Sequence, residues 1–180
     1  MRKLSMLVVP GLVAMTLAAA PVLSSAYAAG SDEPSSPPKS DSSSKKGKKK
    51  SSSVSDPKFL AAYRTAYAAI YDNHDYTSAI GQLKSLKRDD VADVANLIGY
   101  SYRKLGDYQS SKVYYELALK DDPNHVRTWQ YYGLWQLEQG NREQAQYHLN
   151  KIASLAGTDS SEYRSLAAAL DKPTGATLVY

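Results

Sequence analysis

Two consecutive stretches of 34 residues decide the fold: residues 92–125, ADVANLIGYSYRKLGDYQSSKVYYELALKDDPNH, and residues 126–159, VRTWQYYGLWQLEQGNREQAQYHLNKIASLAGTD. Aligned without a gap, they bring glycines together twice: Gly99 with Gly133, and Gly106 with Gly140. Five further aligned pairs are apolar, small or turn-forming on both sides: Ala95 with Trp129, Ile98 with Tyr132, Ser111 with Ala145, Tyr115 with Leu149, and Pro123 with Gly157. A repeat of this length indicates a structural unit that stacks on copies of itself to bury its apolar face.

Each unit has the sequence pattern of a helical hairpin. Small and aromatic residues recur three or four positions apart, which predicts helices with one buried stripe. Gly106-Asp107 and Gly140-Asn141 combine a residue suited to a left-handed helix end with a side-chain N-cap for the next helix. We therefore expect two helices per unit, joined by a short turn.

The pattern of the two units resembles the tetratricopeptide repeat. In the first unit the resemblance is carried by Ala95, Ile98, Gly99, Tyr102, Ser111, Tyr115, Ala118 and Pro123. In the second unit it is carried by Trp129, Gly133, Ala145 and Leu149. Gln136, Ile152 and Gly157 depart from the family pattern, which is typical of a last, less regular repeat.

A weaker copy precedes these units, and one more helix follows them. Asp56-Pro57 predicts the start of a helix that continues to about Asp72. Asp159, with Glu162 three residues later, predicts the start of a capping helix that ends before Pro173. The fold class is thus all-α: a right-handed superhelical stack of about three hairpins, residues 60–91, 92–125 and 126–159, plus a capping helix, residues 160–171. An ordinary helical bundle with coincidental spacing is the alternative.

The first 28 residues resemble a secretory signal. Arg2 and Lys3 precede an apolar run, and Ala26-Tyr27-Ala28 supplies the small-x-small pattern that a signal peptidase accepts. The alternative is a retained membrane anchor, which the short and interrupted apolar run disfavours. We therefore expect an exported protein, periplasmic or secreted, with no transmembrane span in its mature chain.

Residues 29–55 are rich in serine, proline and lysine, a composition that predicts a disordered linker. Residues 31–55 carry six lysines against three acidic residues, whereas residues 56–180 carry 14 basic and 15 acidic side chains. The predicted repeat domain, residues 56–172, is therefore close to neutral, which disfavours nucleic acid as a partner. We expect residues 173–180 to form a short tail.

The family resemblance implies that first helices line a concave surface where extended peptides bind. At helical spacing from the packing stripe, nine residues are expected on that surface: Arg64, Tyr71, Asn96, Tyr100, Arg103, Lys104, Arg127, Gln130 and Tyr131. Arginine suits a carboxylate because two parallel donors meet two acceptors. A groove for an acidic segment or chain terminus of a partner protein is one interpretation, and a solvated helix face is the other.

In this interpretation some of the many tyrosines lie in the core and others on the binding surface. The chain has 15 tyrosines and one phenylalanine. Tyr102 is expected to face the core, as are Tyr63, Tyr108 and Tyr115, whereas Tyr100 is expected to face a ligand.

No catalytic or metal-binding pattern is present in the sequence. His74, His125 and His148 lie in separate units, so we interpret them as loop caps or surface residues. The chain has no cysteine, and its glycines form neither a phosphate-binding loop nor a nucleophile elbow. We therefore predict no cofactor and no metal.

The leading functional hypothesis is a non-enzymatic, exported adaptor that binds a protein or peptide segment in its concave groove. In a second hypothesis the protein acts mainly through the basic stretch at residues 45–50, which would tether it to an anionic envelope surface. That stretch contains Lys45, Lys46, Lys48, Lys49 and Lys50. Each lysine near a negative surface is worth about 1 kcal/mol.

Overall fold

The computed structural model describes residues 56–173, which form seven α-helices and no strand. The helices are α1 (Pro57–Tyr71), α2 (Tyr76–Ser85), α3 (Ala92–Lys104), α4 (Tyr108–Asp121), α5 (Val126–Glu138), α6 (Arg142–Ala156) and α7 (Ser161–Leu170). The predicted signal sequence, linker and residues 174–180 of the tail lie outside the described residues. The predicted all-α helical repeat stack is confirmed.

The helices pair in sequence order into three hairpins and a final helix. Helix α1 packs on α2, α3 on α4, and α5 on α6, while α7 packs on both α5 and α6. The first helices of successive hairpins also touch, because α3 contacts α1 on one side and α5 on the other. One continuous apolar core runs from Tyr63 to Leu170 through all three hairpins.

Glycine ends the first helix of the second and third hairpins, as predicted. Gly106 and Gly140 both have φ of +79°, in the left-handed region that favours glycine. The Asp107 carboxylate then accepts a hydrogen bond from the backbone N–H of Ser110 and caps α4. The expected cap by Asn141 is wrong, because its side-chain amide instead donates to Oε1 of Gln136.

The first hairpin makes its turn without glycine. His74 has φ of +53°, and Asp75 caps α2 by accepting a hydrogen bond from the backbone N–H of Ser78. At the start of this hairpin, the Asp56 carboxylate accepts from the N–H of Lys58, so the predicted start of α1 is confirmed. A capped turn therefore recurs even where the sequence lacks the glycine signal.

The glycines that define the repeat lie where helices approach closely. A Cβ on Gly99 would lie 2.8 Å from Cδ1 of Tyr115 and 3.2 Å from the carbonyl oxygen of Ser111. A Cβ on Gly133 would lie 2.5 Å from Cδ2 of Leu166. The first contact joins the two helices of a hairpin, and the second joins α5 to α7.

Helix α7 covers the end of the stack. Its N-cap is Ser160, whose hydroxyl accepts from the N–H of Tyr163, so the predicted cap at Asp159 is off by one residue. At the other end, the Arg142 guanidinium donates to the carbonyl oxygens of Leu170 and Lys172. The bond to Leu170 satisfies a carbonyl at the end of α7 that has no partner within the helix.

Candidate partner-binding face

Aromatic rings at four-residue spacing line one side of α1. The centroids of Phe59 and Tyr63 lie 6.1 Å apart, those of Tyr63 and Tyr67 lie 6.4 Å apart, and those of Tyr67 and Tyr71 lie 4.5 Å apart. Residues four apart on a helix project from the same side, so the spacing itself produces the row.

The row continues across the first helices of the next two hairpins. The Tyr100 ring of α3 lies 5.6 Å from that of Tyr71 and 4.8 Å from that of Tyr131 of α5. The hydroxyls of Tyr71 and Tyr131 lie 3.1 Å apart and share a hydrogen bond. We call Tyr63, Tyr67, Tyr71, Tyr100 and Tyr131 the tyrosine face.

Arg127 of α5 lies beside the tyrosine face and is partly buried. Burial opposes its charged form, but Tyr131, Tyr71 and other neighbouring phenols raise the pKa of the guanidinium above its ordinary value. Burial also raises the pKa of the Tyr67 phenol, and the charge of Arg127 opposes that rise. The site thus holds a permanent positive charge among neutral phenols.

Two more predicted cations have different surroundings. Nζ of Lys104 lies 5.6 Å from the ring centroid of Tyr100, which is within reach of a cation–π interaction. Arg64 is exposed on α1, three residues before Tyr67. Of the predicted binding residues, the structure therefore brings together Tyr71, Tyr100, Lys104, Arg127 and Tyr131. Tyr131 is nevertheless only 1% exposed, because neighbouring helices cover it, so its predicted place on an open surface is wrong.

Arg103 is not an open carboxylate-binding residue as the groove interpretation assumed. Its side chain is 1% exposed, and its Nε and Nη2 donate to the two carboxylate oxygens of Glu138 at 2.9 and 3.0 Å. The predicted bidentate geometry is present, but its acceptor belongs to the same chain. This ion pair joins the end of α3 to the end of α5.

Asn96 and Gln130 are also buried rather than displayed on a surface. Oδ1 of Asn96 accepts a hydrogen bond of 3.1 Å from the hydroxyl of Thr128. Both residues lie on helices with neighbours on several sides, since α3 contacts four other helices, as does α5. A first helix in the middle of the stack therefore has no fully open face.

Tyr100 was expected to be the more exposed residue and Tyr102 the more buried one, but the structure shows the opposite. Tyr100 is 4% exposed within the tyrosine face, whereas Tyr102 is partly exposed. The Tyr102 ring stacks on Tyr114 at 5.7 Å, and its hydroxyl accepts a hydrogen bond of 2.7 Å from Nζ of Lys84. Neighbouring hairpins bury the Tyr100 side of α3 more completely than the Tyr102 side.

The histidines divide into three environments. His74 is exposed in the first turn, and His125 is the N-cap residue of α5. His148 is buried on α6, where its Nδ1 lies 3.1 Å from the carbonyl oxygen of Trp129, so the surface interpretation is wrong for this residue. Burial lowers the pKa of His148 to about 4.

A cavity of about 250 Å³ lies where the starts of α3, α5 and α7 meet. Its walls include five charged or titratable side chains: Asp93, Asp122, His125, Arg127 and Glu162. Arg127 therefore belongs both to the surroundings of the tyrosine face and to this cavity. Sequence reasoning missed Tyr67 and Asp93, although the four-residue aromatic spacing on α1 was a usable signal for Tyr67.

Residues 56–173 contain neither a candidate membrane-spanning helix nor a candidate metal-binding group. No helix there has both the length and the apolar character needed to cross a membrane. In the same residues, no group of three or more histidine, aspartate and glutamate side chains is arranged to hold a metal ion.

These observations define a helical-repeat protein whose first helices bring a row of tyrosine rings together with a basic side chain beside it. Within that row Tyr67 and Tyr71 are partly exposed, and the other three rings are buried. Residues 102–170 match the family model of the tetratricopeptide repeat, which supports assignment to that family. Repeats of this family generally mediate protein–protein interaction and are typically non-enzymatic. A comparison with curated proteins found no match.

Proposed function

We propose that the protein is a non-enzymatic interaction module that binds an acidic segment or chain terminus of a partner protein beside Arg127. The observation that carries this proposal is the position of Arg127, partly buried among phenols and in the wall of the cavity. A guanidinium can offer two parallel donors to a carboxylate. Partial removal from water strengthens that attraction relative to an exposed arginine.

The phenols suit the rest of such a segment. Tyrosine offers a large apolar ring and a hydroxyl, and it loses little conformational entropy on binding because it has few rotatable bonds. Tyr67 and Tyr71 are partly exposed, so part of their rings is available to a partner side chain. Lys104 adds positive charge over the Tyr100 ring, and Arg64 is exposed on the same helix as Tyr67 and Tyr71.

The test compares two arginine variants of the full chain. We expect Arg127→Gln to weaken binding of fluorescent Glu- and Asp-rich peptides by about tenfold, because one charge-assisted contact is lost. Arg164→Gln is the matched control, since Arg164 is exposed on α7 and donates to the carbonyl oxygen of Asp159. Peptides with Gln and Asn in place of Glu and Asp should bind neither protein.

Equal peptide affinity for the two arginine variants would contradict the assignment to Arg127. Circular dichroism of both variants checks that helix content is unchanged. Binding of the amide peptides as tightly as the acidic peptides would show that charge does not drive the interaction.

A tether at residues 45–50 is a second candidate function, supported by the segregation of charge. Residues 31–55 have net positive charge, while residues 56–180 are close to neutral. Replacing the five lysines of this stretch by glutamine should abolish salt-sensitive binding to phosphatidylglycerol vesicles and leave acidic-peptide binding intact. Vesicle binding that survives the replacement would remove this candidate.

Export to the periplasm or medium is part of the same proposal, and the signal-like residues 1–28 support it. Cleavage after Ala28 would make Ala29 the first residue of the mature protein. Amino-terminal sequencing of the protein from its own cells tests this directly, and an N-terminus at Met1 would contradict it.

A further inference from the structure

A chain of four polar side chains joins the second and third hairpins beside Arg127. Oδ1 of Asp93 lies 3.1 Å from Nε2 of His125, and Nδ1 of His125 lies 2.6 Å from the hydroxyl of Thr128. That hydroxyl donates to Oδ1 of Asn96 at 3.1 Å. Asp93 and Asn96 belong to α3, whereas His125 and Thr128 lie at the start of α5.

The direction of these hydrogen bonds depends on the protonation of His125. A hydroxyl has one proton to donate, and Thr128 donates it to Asn96. Nδ1 of His125 must then donate to Thr128, while Nε2 donates to the Asp93 carboxylate. The arrangement is complete only when both ring nitrogens carry a proton.

A singly protonated His125 requires a different arrangement. With its proton on Nε2 for Asp93, Nδ1 can only accept a hydrogen bond from Thr128. Asn96 must then turn its amide so that its NH₂ group faces the Thr128 oxygen. Loss of one proton therefore reverses two hydrogen bonds in a buried contact between hairpins.

Charged side chains from three helices line the cavity together with His125. They are Asp93 of α3, Asp122 before α5, Arg127 of α5 and Glu162 of α7. Burial opposes ionisation of Asp93, but hydrogen bonding by His125 and the charge of Arg127 hold the pKa of Asp93 below its usual value. Asp93 is thus ionised in the arrangement that the structure shows.

We propose that the Asp93–His125 pair makes partner binding depend on pH by controlling how much of the Arg127 charge a ligand can use. Protonated His125 balances the Asp93 carboxylate, so Arg127 attracts an acidic ligand. When His125 is neutral, it no longer balances the Asp93 carboxylate. Asp93 then interacts more strongly with the Arg127 guanidinium and competes with the ligand carboxylate for it. This inference rests on the proposed binding of an acidic segment beside Arg127.

The first experiment measures binding of a Glu-rich peptide to the full chain between about pH 5.5 and pH 8, the range in which imidazoles change charge. We expect affinity to be about three- to tenfold higher at the acidic end, the size of one charge interaction in a partly exposed site. His125→Gln should remove this dependence, and Asp93→Asn should hold affinity high across the range.

The matched control is His74→Gln, because His74 is exposed in the first turn. It should keep the pH dependence of the original protein. A His125→Gln variant with the same pH dependence as His74→Gln would overturn the inference. Titration of the peptide itself affects both variants equally.

A second experiment needs no peptide and therefore separates this inference from the proposed function. A double-mutant cycle of Asp93→Asn and His125→Gln measures their coupling in the unfolding free energy. We expect coupling at about pH 5.5 that falls by at least half at about pH 8, because the ion pair is lost. Coupling that is equal at both values overturns the inference, whereas absent peptide binding with pH-dependent coupling refutes only the proposed function.

Discussion

Replacing Gly99 by alanine tests whether the repeated glycines mark close helix contacts. The new Cβ would lie 2.8 Å from Cδ1 and 3.0 Å from Cε1 of Tyr115. Tyr115 has little room to move, because it is fully buried and its ring stacks on Tyr132 at 5.6 Å. The Ser111 carbonyl oxygen, at 3.2 Å, is backbone and also cannot turn away.

The expected magnitude is a balance of two effects. Overpacking a core costs about 1–3 kcal/mol. Alanine in place of glycine within a helix raises the unfolding free energy by up to about 1 kcal/mol. We therefore expect Gly99→Ala to lose about 1–2 kcal/mol of unfolding free energy, which corresponds to about 4–8 °C in Tm.

Urea unfolding followed by circular dichroism measures this change, and Gly81→Ala is the matched control. Gly81 lies within α2, and a Cβ there would meet nothing within 4 Å. Gly81→Ala should therefore gain about 0.5–1 kcal/mol. Equal stabilisation by both substitutions would refute the close approach at Gly99.

Three further predictions concern buried charge, pH and capping. Glu138→Gln should cost about 2–4 kcal/mol in urea unfolding, because it leaves the buried Arg103 guanidinium without the Glu138 carboxylate; a loss below about 0.5 kcal/mol, the size of a surface substitution, would contradict this. Because the pKa of His148 is lowered in the folded state, the unfolded state takes up a proton first as pH falls. The contribution of His148 to the unfolding free energy is therefore full above about pH 6.5 and declines by about 3 kcal/mol toward pH 4. His148→Gln should flatten that decline, and an unchanged slope of unfolding free energy against pH would contradict this prediction. Ser160→Ala should cost about 1 kcal/mol in thermal unfolding and Asp159→Ala roughly half of that or less, and the opposite order would restore Asp159 as the cap.

Local signals in the sequence predict the hairpins well because turn chemistry acts over a few residues. Gly106 and Gly140 end helices as expected, and Asp107 caps the next helix. Asn141 fails as a cap because a nearby glutamine competes for its side chain, an interaction that the repeat pattern does not encode. The period predicts a close helix contact at both Gly99 and Gly133, but the nearest side chain differs, being Tyr115 for Gly99 and Leu166 for Gly133.

The candidate site was harder to predict because α3 has neighbours on several sides. An argument from one packing stripe assumes that the opposite side of the helix is open. In the structure, 10 of the 13 residues of α3 are buried, including Asn96, Tyr100 and Arg103. Sequence distance also conceals pairs such as Arg103 with Glu138, which become neighbours only when one hairpin stacks on the next.

The most direct test of the proposed binding face places a photo-crosslinking amino acid at Arg64, exposed on α1, or at Tyr147, exposed on α6. The full chain is then irradiated with fluorescent Glu-rich peptide, and the labelled protein is quantified on a gel. The account predicts strong labelling from position 64 that excess unlabelled peptide prevents, with background labelling from position 147. Equal labelling from both positions, or labelling only from position 147, would contradict it.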